Sequence, residues 1–389
     1  MTVSGYDRAL SAMKRGPLRP APRDGRPVVL YHSPWQRPDD GWSICARANA
    51  RAMHMGGIDV HLYSWNESPS GKVDPEVIDA LPYAKLVSEW DLHVFSAALF
   101  GAEKILPAIS HLKFDREPQA FHAMFERQYI EPAIVDELNQ LRGVWAQCGM
   151  NHEVLTRCGV KNSTFIPFPY FDDDPHLEIP PPKESRRFYY VGRFEPRKAP
   201  DNLIRAFMRA FRPGEASLTL KLSAYAGPQG NPYVTPEEVI DEGLGKNNWT
   251  AGAAIEWIRI IRGRLSKRQM LELHASHDVY ASASRGEGIG LPELEAKLSG
   301  RQVVTTDSGG PRDFLNDGDV LVPATGLIPF DESYEHGPGA CYSAYDLDAL
   351  VAALQEARAG TPVGSRVPET HRAEHVGKRM REWVEEILG

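Results

Sequence analysis

Hydrophobic and polar positions along the chain fall into short apolar runs separated by longer amphipathic stretches. Residues 27–32 (PVVLYH) form a compact apolar run of the kind a buried strand needs. A loop with Pro34, Pro38, Asp39, Asp40 and Gly41 follows, and residues 43–55 have a helical pattern stopped by Gly56-Gly57. Residues 58–63 (IDVHLY) give the next strand. Further strands are expected at 92–96, 104–110 and 143–147, with 165–169 as an extended exit. Strand–helix–strand alternation of this kind builds a parallel sheet with crossover helices.

The alternation breaks at residues 172–185 (DDDPHLEIPPPKES), which open with three acids and later carry three consecutive prolines. Proline fixes φ and removes a donor, so this stretch cannot sit inside a packed helix or a central strand. It then restarts: strands at 187–191, 218–223, 258–261, 278–283 and 302–305, helices at 200–211, 267–276 and 291–298. Residues 226–254 are rich in Gly and Asn and read as a long excursion. Residues 371–388 form an amphipathic helix with Met380, Trp383, Val384, Ile387 and Leu388 near one face. The expected organisation is an arm (1–26), an N-terminal Rossmann-like domain (27–174), a linker (175–185), a C-terminal Rossmann-like domain (186–370) and a terminal helix (371–389) packing back on the N-terminal domain. Two such domains face a cleft, and ligands bind open sheets at the carboxyl ends of their strands.

Composition narrows the function classes. The chain has 389 residues, 42% hydrophobic and 25% charged, ample for two buried cores. Forty-four basic against 52 acidic residues give a net charge of −8, which argues against a nucleic-acid partner. No apolar run is long enough to span a bilayer, although the basic arm (Arg8, Lys14, Arg15, Arg19, Arg23) leaves peripheral membrane contact open. Cys45, Cys148, Cys158 and Cys341 form no Cys-x-x-Cys pair, and with no secretory leader a reducing cytoplasm is the expected compartment.

Two segments carry candidate chemistry. In residues 191–200 (VGRFEPRKAP), Gly192 permits a turn, and Arg193 and Lys198 share one loop at the carboxyl end of a strand. Two fixed cations there suit a diphosphate, Arg gripping two oxygens and Lys acting as a point charge. A solvated basic turn paired with Glu195 is the competing reading. In residues 284–295 (SRGEGIGLPELE), glycines precede a helix that starts with Pro292 in its first turn. Free amides and the helix dipole make such a start an anion site. Glu287 is placed to accept from sugar hydroxyls, and Glu295 from a ribose diol. A tight turn whose acids merely favour the dipole is the alternative. Leu291 stands where a dinucleotide fingerprint needs its third glycine.

Together the segments resemble the retaining GT-B glycosyltransferases of family 4, which pair a Gly-Arg-x-x-x-x-Lys segment with a Glu-x7-Glu segment. Arg193 with Lys198 and Glu287 with Glu295 match, as do the flanks 262–300 and the Gly309-Gly310 turn. The resemblance is convincing over about 186–325 and weaker over 27–65 and 105–170. It implies an α/β GT-B fold and a metal-independent hexosyltransferase without a cofactor. Such an enzyme moves a sugar from a nucleoside-diphosphate donor to a hydroxyl of a glycan, lipid, small-molecule or protein acceptor, with retention. On this likeness Arg193 and Lys198 stabilise the leaving diphosphate, with Glu287 as the further catalytic group. Gly192, Gly286, Gly288, Ile289, Gly290 and Leu291 line the donor, and Glu295 holds the ribose.

His111 is the candidate near the reacting carbon, or else a strand-end cap. Asp40, Gly41 and Trp42 match the family's glycine loop facing the acceptor. Trp35 and Trp42 suit stacking on a sugar or core packing. Ala199 departs from the family's glycine after the lysine, and Lys297-Leu298-Ser299 departs from Met-Ala-Cys with little expected consequence. A sugar phosphorylase, a nucleotide-sugar epimerase and a non-catalytic GT-B binding protein are the alternatives. His371 and His375 have a metal-like spacing without a catalytic Glu beside the first, and no metal is expected there. The oligomeric state, the donor base and its sugar are open at this level.

Overall fold

A computed structural model describes residues 24–35, 40–63, 90–97, 119–223, 235–247, 257–329, 341–360 and 367–389. The expected strand at 104–110, the candidate His111 and the basic arm through Arg23 lie outside them, as does most of 226–254. The chain divides into two units. One takes the chain through Phe171 together with Pro368–Gly389, and the other takes Asp172–Phe330 with Cys341–Val367.

The first unit is a parallel sheet of β1 (Val28–His32), β2 (Asp59–Tyr63), β3 (Leu92–Ala97), β4 (Gln119–Ala123), β5 (Gly143–Ala146) and β6 (Ser163–Phe165), in the order β2-β1-β3-β4-β5-β6. All five residues of β1 are buried, as befits a strand covered on both faces. Helices α1 (Gly41–Met55), α2 (Pro132–Leu138) and α3 (Gly149–Cys158) complete the crossovers. Helix α1 begins two residues earlier than its apolar pattern suggests, because Asp40 caps it. The Asp40 carboxylate accepts from the Ser43 N–H and hydroxyl, both at 3.1 Å. Gly41 and Trp42 are therefore the first turn of a helix rather than a loop.

The terminal helix α9 (Ala373–Leu388) packs on α1 within this unit and buries Val376, Met380, Trp383, Val384 and Ile387. Chain entry into α9 is fixed by Tyr170, whose backbone N–H donates to His371 O and whose carbonyl accepts from the Ala373 N–H, each at 2.8 Å. The helices meet backbone to backbone. A Cβ on Gly377 would lie 2.3 Å from the Ala52 carbonyl oxygen, and one on Gly56 would lie 2.1 Å from the Gly377 oxygen. Gly377→Ala should therefore lower the unfolding free energy by about 1–3 kcal/mol, the usual cost of overpacking. Gly245→Ala, on a helix where the new methyl meets nothing within 4 Å, should instead stabilise by about 1 kcal/mol. Urea denaturation of both variants checks the contrast.

The second unit is a parallel sheet of β7 (Arg187–Arg193), β8 (Ser217–Ser223), β9 (Ile258–Arg262), β10 (Val279–Ala281), β11 (Gln302–Thr306) and β12 (Val320–Val322), ordered β12-β11-β10-β7-β8-β9. Its helices are α4 (Pro200–Ala210), α5 (Pro236–Asn247), α6 (Lys267–Ser276), α7 (Leu291–Leu298) and α8 (Leu347–Ala359). An antiparallel pair, β13 (Ala324–Pro329) with β14 (Cys341–Tyr345), is added. Ser266 and Gln269 form a reciprocal capping box on α6. The segment 172–185 is not wholly extended: Pro175–Glu178 makes one 3-10 turn, with Asp174 accepting from the His176 N–H. Two buried carboxylates tie the sheet. Asp278 accepts from the Arg186 and Arg187 N–H groups and from both arms of the Arg187 guanidinium. Asp319 pairs with Lys297, both side chains fully buried, and also accepts from the Val303 N–H. The Lys297 departure therefore has a structural consequence, contrary to expectation: it brings a charge into the core, where Asp319 and Asn316 meet it.

No helix among the described residues is long and apolar enough to cross a membrane.

Candidate functional site

The carboxyl end of β7 runs into a loop that turns back through Ala199, whose φ of 42° makes it the one non-glycine residue with positive φ among the described residues. A left-handed alanine costs roughly 1–2 kcal/mol, and the Cβ sits here on a position where glycine is the unstrained choice. The turn closes with the Ala199 N–H donating to Glu195 O, and Pro200 then starts α4. Gly192 remains extended within β7. Its need for glycine is space, since a Cβ would lie 2.2 Å from the Tyr190 hydroxyl, which folds over it to the Arg193 carbonyl.

The loop places Lys198 against Glu287, with Nζ 2.5 and 2.6 Å from the two carboxylate oxygens. Arg197 comes with it. Its guanidinium donates to Gly286 O at 2.6 Å and to Glu195 at 3.0 Å, and lies 3.6 Å from Glu287. Arg193 stands apart from this cluster. It is 54% exposed and 3.8 Å from Glu195, so it joins Glu287 only through Glu195 and Arg197. The structure thus brings Lys198 and Glu287 together as the motif spacing suggests, and adds Arg197 to the pair, with Arg193 outside these contacts. The signal for Arg197 was its place directly before Lys198; the left-handed turn that aims both inward is not legible from residue type.

Glu287 sits in the turn that leads into α7. Gly290, with φ of 80°, begins the helix, and Pro292 occupies its first turn. Gly309 and Gly310 pack under this turn, and a Cβ on Gly309 would lie 2.1 Å from the Glu287 carbonyl oxygen. The Gly310 N–H holds that same oxygen at 3.1 Å. Gly286, Gly288, Ile289 and Leu291 line the turn. Among the described residues, no acceptor pairs with the N–H groups of Gly288, Ile289 or Gly290. Buried backbone donors are ordinarily satisfied, and donors at a helix N-terminus are poised for an anion.

Electrostatics favour the same ligand. Burial works to raise the Glu287 carboxyl, but the Lys198 and Arg197 cations outweigh it and hold the group below the usual carboxylate range. Glu293, fully buried in the first turn of α7, is pushed up to about 7 by burial and by the Glu287 charge. The cations Arg197 and Lys198 thus converge on Glu287, with Glu195 and the exposed Arg193 beside them. Sequence reasoning missed Glu293, because a glutamate in a first helical turn is ordinarily exposed.

Glu295 lies further along α7 and outside this cluster. It is 29% exposed, and its carboxylate is 3.6 Å from His274 Nε2. Asp40, Gly41 and Trp42 belong to the other unit, where Asp40 is occupied as a helix cap. Trp35 is partly buried against that unit's core. His371 and His375 do not converge: their Nδ1 atoms face the Phe168 and Glu369 carbonyls, respectively.

Residues 185–335 match the family described as glycosyl transferases group 1. The D-inositol 3-phosphate glycosyltransferase of Actinosynnema mirum is 31% identical over 177 residues, 45% of this chain and 38% of that protein. That of Nocardia farcinica is 32% identical over 143 residues, 36% of this chain and 28% of that protein. The matched part thus spans less than two fifths of these relatives' length. Among solved structures, Anabaena HepE in complex with UDP-glucose superposes with a TM-score of 0.53 at 15% identity, covering 91% of this chain and 98% of that one. A glycosyltransferase involved in avilamycin A biosynthesis gives 0.55 at 15% identity, covering 93% and 98%. Sucrose-phosphate synthase from Thermosynechococcus elongatus gives 0.53 at 16%, covering 94% and 95%.

Proposed function

We propose that the protein is a retaining glycosyltransferase using a nucleoside-diphosphate sugar, because residues 185–335 match the glycosyl transferases group 1 family and the two sheets have the GT-B fold. The observation that carries this reading is the placing of the Arg197 and Lys198 cations, paired on Glu287, beside the free N–H groups of Gly288, Ile289 and Gly290.

A diphosphate entering this site competes with Glu287 for Lys198. Its oxygens take the three free amides and the Lys198 and Arg197 cations, while the Glu287 carboxylate turns to the donor sugar's hydroxyls. Glu295 takes the ribose diol. The bond from the sugar's anomeric carbon to the diphosphate breaks with its electron pair going to the phosphate oxygen. The acceptor hydroxyl bonds to the same face of that carbon, and its proton goes to the departing phosphate. Charge on the leaving group grows along this path, so fixed donors and cations favour the transition state over the ground state. The two cations serve the leaving group without a metal ion. Arg193, half exposed at the strand end, assists as a mobile cation. The acceptor is a hydroxyl compound, and the four cysteines, all free thiols, suit the cytosol.

Thermal shifts against UDP, GDP, ADP and free nucleosides test the donor class. One nucleoside diphosphate should raise the melting temperature, with roughly 2.7 kcal/mol of stabilisation at a hundredfold excess over Kd. Its nucleoside should do far less, because the cations and amides read the phosphates. Equal response to nucleoside and diphosphate, or none to any diphosphate, would overturn the reading.

A further inference from the structure

His176, His274 and Glu295 converge in the second unit, their nearest ligand atoms all within 4.8 Å of one another. They come from three elements: the 3-10 turn Pro175–Glu178, helix α6 and helix α7. The two rings meet edge to face, with centroids 5.1 Å apart. Each is oriented through its Nδ1. The His176 Nδ1 is 2.7 Å from the Asp174 carboxylate, and the His274 Nδ1 is 2.6 Å from the Tyr189 hydroxyl. Both Nε2 atoms are buried with no hydrogen-bond partner, and His274 is completely shielded from solvent.

Two unpartnered imidazole nitrogens side by side, next to a carboxylate, are costly in a protein interior. A cation bridging them removes the cost. Ligating histidines characteristically hold their other nitrogen against a carboxylate or another hydrogen-bonding group, which fixes ring and tautomer. Asp174 and Tyr189 stand in those places. The donor set selects among cations. Two imidazoles and one carboxylate suit zinc, three protein ligands leaving one tetrahedral position open. Calcium and magnesium ask for oxygen ligands.

We propose that His176 Nε2, His274 Nε2 and Glu295 form a zinc-binding site that pins the turn after Asp174 onto helices α6 and α7. With the Asp174 carboxylate accepting from His176 Nδ1–H, the Nε2 lone pair is free for the metal. His274 takes the tautomer with Nδ1–H donating to the Tyr189 oxygen, so both ligating nitrogens are unprotonated. The site is outside the Lys198–Glu287 cluster and does not rest on the transferase reading. It does share Glu295 with it, so zinc and a ribose draw on one carboxylate.

The test uses the full chain, stripped with a chelator and dialysed. Titration with Co²⁺ should give one equivalent of bound metal, seen as visible d–d absorption of a four-coordinate N/O site, and Zn²⁺ should bleach it stoichiometrically. Zn²⁺ should also raise the melting temperature. His176→Ala, a change in a surface turn, should weaken Zn²⁺ binding at least tenfold while the far-ultraviolet circular dichroism is unchanged. His274→Gln should do the same or more. Absence of a stoichiometric cobalt spectrum overturns the proposal, and so does binding unaltered in both variants. UDP and GDP shifts recorded on the zinc-loaded and stripped protein keep the two readings apart. Zinc binding without any diphosphate response sinks the transferase reading alone, and the converse sinks the zinc site alone.

Discussion

Lys198→Ala is expected to cut sugar transfer about 10²–10³-fold, the usual loss when one preorganised contact to a developing charge is removed. It is also expected to destabilise the fold. Lys198 and Glu287 are 15% and 7% exposed, and Nζ lies 2.5 Å from the carboxylate. Removing the lysine leaves Glu287 buried with Arg197 alone, at 3.6 Å. Breaking one side of a buried pair costs about 3–5 kcal/mol because the remaining charge is uncompensated. The double variant Lys198→Met with Glu287→Gln removes both charges and should regain most of that loss, since a buried pair replaced by apolar or neutral groups is often nearly neutral. Activity should not return with it. Urea denaturation together with nucleotide release under saturating donor measures both effects. Stability and turnover recovering together in the double variant would mean that the pair is structural. Full turnover in Lys198→Ala or Glu287→Gln would remove both residues from the site.

The sequence carries this pair and not its surroundings, for a physical reason. Helices α6 and α7 have the bounds read from their patterns, because their ends are set by local chemistry: Ser266 with Gln269 in one, Pro292 in the other. Strand β4 (Gln119–Ala123) was not expected, because QAFHA has no apolar run. His122 becomes a core residue only through Tyr31, Ser96 and Trp145 on other strands. The pair β13–β14 escaped for the opposite reason: most of β13 is exposed and shows no alternation. Within the site, the spacing singles out Arg193 and Lys198 and is silent on Arg197. Only the fold, through the left-handed turn at Ala199, shows that Arg197 meets the Gly286 carbonyl. The cluster of His176, His274 and Glu295 depends on three elements meeting, which no local pattern encodes.

The N-terminal sheet should lose stability steeply as pH falls below about 6.5, because it buries three histidines as neutral rings. His32 Nε2 and His93 Nδ1 are 2.9 Å apart, and the stacked rings lie between Phe95 and Trp90. His122 Nδ1 faces the Tyr31 and Ser96 hydroxyls at 2.8 and 2.9 Å, and its ring lies on Trp145, with Gln147 nearby. Burial pushes His93 and His122 down to about 3, and burial with the His93 neighbour pushes His32 well below its ordinary value. Between about pH 6.5 and 3 the unfolded chain therefore binds protons that the folded sheet refuses, so stability present above 6.5 is lost on acidification. Each such histidine removes about 1.4 kcal/mol by pH 5.5, or roughly 4 kcal/mol for the three. A single domain commonly holds only about 5–15 kcal/mol in all. Urea midpoints at pH 7.5, 6.5 and 5.5 should fall accordingly. His93→Gln keeps a hydrogen-bonding side chain but removes one titrating ring and its neighbour's repulsion, so it should shallow the slope by at least a third whatever it does to stability at pH 7.5. A wild-type midpoint that holds level from pH 7.5 to 5.5 would mean that these rings accept protons in place, and that the sheet opens locally to let them.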